Sequence, residues 1–79
     1  MFQERVVLEN GFVINVRLSP GGRYGLSCHD PQNLVVEFKG DARTHRRMLR
    51  GRESAYGFKS VEQLRYDFER DAEDAQRQG

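Results

Sequence analysis

The chain has no tryptophan, a single cysteine, two prolines and only two lysines. Each shortage excludes something. Cys28 alone cannot close an internal disulfide, which fits a reducing, cytoplasmic setting. One cysteine and two histidines, His29 and His45, follow no recognised zinc spacing, so no metal site is expected. No stretch approaches the ~20 consecutive apolar residues that cross a bilayer, and no membrane association is expected. The opening residues MFQERVVLEN mix charges with short apolar pairs, which is not the pattern of a secretory leader. With 79 residues there is material for one modest core, and the whole range 1–79 is read as one domain.

Charge is abundant by contrast. Charged residues make up 32% of the chain against 37% hydrophobic, a balance that fits a small globular domain. Arginine outnumbers lysine eleven to two, and arginine is the better bidentate partner for phosphate and carboxylate. The net charge of +1 hides a strong asymmetry. Residues 1–40 balance, residues 41–61 carry six basic and two acidic groups, and residues 62–79 carry three basic and six acidic groups.

The first half reads as strands. Phe12, Ile14, Val16 and Leu18 alternate with polar or smaller neighbours, the period of a strand with one buried face. Asn10-Gly11 before it is the preferred type I′ hairpin pair, which makes residues 4–9 the partner strand. SPGG at 19–22 and HDPQN at 29–33 are further turns, separating strands at 23–28 and 34–39. The expectation is an α+β domain: a four-stranded antiparallel meander over 4–39, with a C-terminal helix over 60–76 on one face. Ser60 and Gln63 form a capping box at that helix start, and Val61, Leu64, Phe68, Ala72 and Ala75 make its apolar stripe. Tyr56-Gly57-Phe58 would add a short strand or anchor the helix through Phe58.

Between sheet and helix lies DARTHRRMLRGRE. Asp41 would cap a short helix that Gly51 ends, and Arg43, Arg46, Arg47 and Arg50 would then share one face, with Arg52 beyond. Ala42, His45, Met48 and Leu49 would dock on the domain. These arginines are candidate contacts to a partner, whether phosphate or acidic protein. Against that stands pairing with the acidic C-terminal helix, the default to beat. Glu62, Tyr66, Glu69 and Glu73 form a second candidate surface on the outer side of that helix, with Tyr66 as an interface anchor. Its alternative is a solvated face held by Arg65–Glu69 and Arg70–Asp74 pairs.

Catalysis is not expected, and neither is a cofactor. Cys28 and His29 are adjacent in a strand and point to opposite faces, so they cannot act as nucleophile and base. PGGRYG follows no strand-to-helix pattern and is a turn rather than a phosphate loop.

Two stretches carry a resemblance. ENGFVINVRL (9–18) is similar to the Glu-Asn-Gly-x-x-Ile-x-x-Arg-Val hairpin of a small phage-encoded anti-CRISPR family that blocks the type I-F surveillance complex. FKSVEQLRYDF (58–68) resembles that family's strand-to-helix junction. The resemblance implies an antiparallel sheet with helical packing that binds the Cascade backbone subunits and keeps target DNA from pairing with the guide. Such a protein is an inhibitor working in the host-cell cytoplasm. Leu8 stands where the family has a contact tyrosine, Ser19 where it has an acidic contact residue, and the arginine stretch is an insertion. The expected function is a non-catalytic inhibitor of a bacterial nucleic-acid-handling complex. The alternative is a small DNA- or RNA-binding module using residues 43–52.

Overall fold

Tight connections fold the chain back and forth five times before it turns into its helix. The computed structural model describes residues 2–41 and 43–78. Its strands are β1 (Phe2–Val7), β2 (Val13–Leu18), β3 (Tyr24–His29), β4 (Leu34–Gly40), β5 (His45–Leu49) and β6 (Arg52–Ala55), followed by α1 (Val61–Gln78). The sheet is antiparallel throughout, in the order β1-β2-β3-β4-β5-β6. The α+β class and C-terminal helix are as expected, but the sheet has six strands rather than four.

The two additional strands come from the arginine stretch, which is a β-hairpin and not a helix. Arg50 (φ 46°) and Gly51 (φ 85°) form a two-residue loop between Leu49 and Arg52, which face each other. Positive φ at both positions is the type I′ geometry that matches strand twist. Asp41 does make the two bonds of a cap, accepting from the Arg43 and Thr44 amides at 2.8 and 3.0 Å. Those bonds close the β4–β5 turn instead of starting a helix. The expected docking position of Ala42 lies outside the described residues.

Asn10-Gly11 differs in the opposite sense. Only Gly11 has positive φ (90°), and the Leu8 amide donates to the Phe12 carbonyl at 2.8 Å. Glu9, Asn10 and Gly11 therefore form a three-residue loop with a glycine bulge. The longer loop puts the end of β1 at Val7 rather than residue 9.

Pleating assigns the faces. Val16, Leu26, Cys28, Val36 and Phe38 lie on one side of the sheet and are buried beneath Leu64, Phe68, Ala72 and Ala75 of α1. Val35, the extra residue where the β3–β4 register shifts, is buried as well. The helix lies over β4. Phe38 meets Phe68 and Tyr56 edge-on, with ring centroids 5.9 and 5.0 Å apart. The Gln63 amide donates to Ser60 Oγ at 3.1 Å, one half of the expected capping box. Val61, expected in the apolar stripe, is exposed. Phe58 anchors the helix entry by stacking on His45 and Tyr24, at 5.0 and 5.6 Å between centroids. Tyr24 Oη and His45 Nδ1 are hydrogen-bonded at 2.8 Å, and burial pushes the Tyr24 hydroxyl pKa up.

Candidate functional site

Because residues 45–55 are extended, neighbouring arginines point to opposite sides of the sheet. The expected arginine ladder is therefore taken apart. Arg43 sits exposed in the β4–β5 turn. Arg46 points to the helix-free side and pairs with Glu53 at 2.9 Å. Arg47 points to the helix side, where its Nε and Nη2 donate to Asp71 Oδ2 and Oδ1 at 2.7 and 2.9 Å. Its guanidinium also stands 5.7 Å from the Phe38 ring centroid. Arg50 donates from Nη2 to the Ala75 carbonyl at 3.0 Å, near the end of the helix. Arg52 is exposed on the rim strand β6. Two of the five arginines thus reach the helix: Arg47 pairs with one of its acidic residues, as the intramolecular alternative expects, and Arg50 meets a backbone carbonyl instead.

The acidic partner was not legible in advance. Asp71 is 5% exposed and lies within the helix face that the sequence marks as apolar. Beside it, Tyr56 donates its hydroxyl to Asp67 Oδ2 at 2.6 Å. That bond and the Gln63 amide hold the Asp67 carboxyl below the usual range against the opposing effect of burial. Desolvation and the same carboxylate push the Tyr56 hydroxyl far upward.

The helix candidates do come together. Glu62, Tyr66, Glu69 and Glu73 are all exposed on the outer side of α1. Tyr66 is 60% exposed, with the Arg70 guanidinium 5.8 Å from its ring centroid. The pairs expected along the helix are replaced by others. Arg65 lies 3.9 Å from Glu4 on β1, Arg70 lies 4.0 Å from Asp67, and Arg77 bonds Glu73. Arg65 faces the sheet flank rather than Glu69 because α1 runs across it.

The surface that sequence reasoning missed is the helix-free side of the sheet. Its residues follow from register: Gln3, Arg17, Gly25, Lys39, Arg46 and Ala55 oppose one another in a single row across all six strands. The next row holds Arg5, Asn15, Ser27, Glu37, Met48 and Glu53. Gly25 and Ser27 make a low floor between long side chains, and an open trough of about 750 Å³ runs over Gly25 past Arg17, Arg23, Lys39 and Arg46. A second trough of about 590 Å³ continues past Arg5, Asn15 and Ser27. Among the described residues, Arg5, Arg17, Arg23 and Lys39 have no carboxylate within 4.0 Å. The signal was present in the sequence: each of the three strand cations occupies a polar position of its alternation.

Among the described residues, no group of three or more His, Cys, Asp or Glu side chains is placed to hold a metal ion. Cys28 is fully buried, and desolvation raises its thiol pKa. No helix among the described residues is long and apolar enough to cross a membrane. Compared with family models, curated proteins and solved structures, the chain matches none.

Proposed function

We propose that the protein is a non-catalytic inhibitor that acts by occlusion, covering a nucleic-acid-handling complex of a bacterial host in the manner the type I-F anti-CRISPR resemblance implies. The observation that carries this reading is the sorting of charge between two rigid outer surfaces. The helix-free side of the sheet presents unpaired cations. The outer side of α1 presents Glu62, Glu69 and Glu73 around an exposed Tyr66. Both rest on regular elements, so little conformational freedom is lost when a partner docks. An exposed tyrosine, with the Arg70 guanidinium over its ring and carboxylates on either side along the helix, is the chemistry of an interface anchor.

The test is gel filtration of the protein with a purified type I-F surveillance complex, followed by target-DNA binding by that complex. The reading expects co-elution and loss of DNA binding, both weakened by the double variant Tyr66→Ala, Glu69→Ala. A complex that elutes alone and binds its target normally would overturn it.

A second reading, a small DNA- or RNA-binding module, is favoured by one observation. The unpaired cations share a face with no helix on it. Of residues 43–52, Arg46 lies on this face, while Arg47 and Arg50 are engaged by the helix.

A further inference from the structure

We infer that the helix-free face of the sheet binds the phosphate backbone of double-stranded nucleic acid, with Arg17 and Lys39 gripping it across the bare floor at Gly25. This takes the second reading above and gives it a site and a ligand; it does not depend on the inhibitor reading.

The first argument is how the cations are satisfied. On the helix side, Arg47, Arg65, Arg70 and Arg77 each reach a carboxylate within 4.0 Å and Arg50 reaches the Ala75 carbonyl, with Arg52 alone lacking a partner among the described residues. On the open side, Arg46 meets Glu53, while Arg5, Arg17, Arg23 and Lys39 meet none among the described residues. Like charges gathered on one face repel one another, and an external polyanion relieves that repulsion and releases its own counterions.

The second argument is Gly25. Its backbone is not in the left-handed region, so its conformation does not require glycine. A Cβ there would meet only the Arg17 Nη2, at 4.0 Å. A glycine inside a central strand weakens the strand, and here the fold gains nothing from it. What its bareness does provide is access. Arg17 and Lys39 flank it on adjacent strands, so their Cα atoms are about 10 Å apart, at roughly 4.8 Å per strand. A sugar–phosphate strand can settle between them onto the main chain.

The third argument selects the duplex. The register rows of this face contain no Phe, Tyr or Trp. A single-strand binder needs aromatic platforms for base stacking. A surface of guanidinium, ammonium and small polar groups, in which Glu37 is the carboxylate lining both troughs, instead matches phosphates already held in order by base pairing.

The test is fluorescence anisotropy with a labelled duplex of about 20 base pairs, titrated from about 50 to 200 mM salt. Four phosphate contacts give a log K against log salt slope of roughly −3.6. Arg17→Gln with Lys39→Gln reduces the magnitude of that slope by about two. Arg65→Gln with Arg77→Gln, on the other side, leaves it unchanged. The sharpest variant is Gly25→Val, which should raise the melting temperature while weakening duplex binding at least tenfold. No duplex binding at the lowest salt overturns the inference. So does a slope indifferent to Arg17 and Lys39, tighter binding of a single strand, or Gly25→Val binding as well as the parent. Co-elution with the surveillance complex is measured separately. If it persists without duplex binding, this inference falls and the inhibitor reading stands.

Discussion

Asp71→Ala is the substitution whose cost the structure defines best. The Asp71 side chain is 6% exposed and the Arg47 side chain 32%, and two hydrogen bonds of 2.7 and 2.9 Å join them in a fork. Removing the carboxylate leaves a guanidinium held against Phe38, about two-thirds out of water and without a counter-charge. Breaking a buried pair by deleting one partner costs roughly 3–5 kcal/mol. Because Arg47 keeps about a third of its exposure, solvent screening lowers this to about 2 kcal/mol. With a urea slope near ~1 kcal/mol per molar for so short a chain, the midpoint falls by about 2 M. Against a total of ~5 kcal/mol for a small domain, that is a large fraction. The decisive comparison is the double variant Arg47→Met, Asp71→Leu, which replaces the pair with apolar side chains and should recover most of the loss. Urea unfolding followed by circular dichroism measures the parent, Asp71→Ala, the singles Arg47→Met and Asp71→Leu, and the double variant. A single-variant loss under about 0.5 kcal/mol, or a double variant no better than the sum of the singles, would refute the account of the pair as mutually dependent.

Four further outcomes are expected. Gly40→Ala would place a methyl 2.7 Å from His45 Nδ1, 2.8 Å from the Thr44 carbonyl and 2.9 Å from the Tyr24 hydroxyl. Overpacking of that kind costs about 1–3 kcal/mol, which thermal melting would show as a drop on the order of 10 °C. Gly51→Val puts a β-branched residue at φ 85° and should destabilise by more than ~1 kcal/mol in the same assay, whereas Arg50→Asn, at φ 46°, relieves backbone strain but loses the Ala75 bond and should nearly cancel. Asp67 has its pKa depressed in the folded state, so the unfolded chain binds the extra proton first; stability from this group is present above the ordinary aspartate range and is lost as pH falls through it. Asp67→Asn should therefore flatten the dependence of the urea midpoint on pH between about 5 and 3.

What could be read from residues alone divides along the kind of signal. Strands β2 to β4 announced themselves because Ile14, Val16, Leu26, Val36 and Phe38 alternate with polar neighbours, and one buried face needs only that. The helix was equally plain from Ser60 and the spacing of Leu64, Phe68, Ala72 and Ala75. Residues 41–55 misled for a physical reason. Asp41 makes the same amide bonds in a hairpin turn as at a helix start. Arg43, Arg46, Arg47 and Arg50 satisfy helical spacing, while the strand choice depended on an available β4 edge and a left-handed Arg50-Gly51 loop. Asp71 was hidden because a carboxylate in an apolar stripe makes sense only beside Arg47, 24 residues away. The cations of the open face were visible singly, but register alone brings Arg17, Lys39 and Arg46 into one row.

The first strand has a consequence of its own. Every residue of Phe2–Val7 is exposed, and β1 has a hydrogen-bonded neighbour on one side only. The helix seals the middle of the sheet and leaves this ribbon outside its cover. The N-terminal strand should therefore peel first, its amides trading deuterium well before those of β3 and β4, so that the molecule breathes from one margin while its centre stays shut.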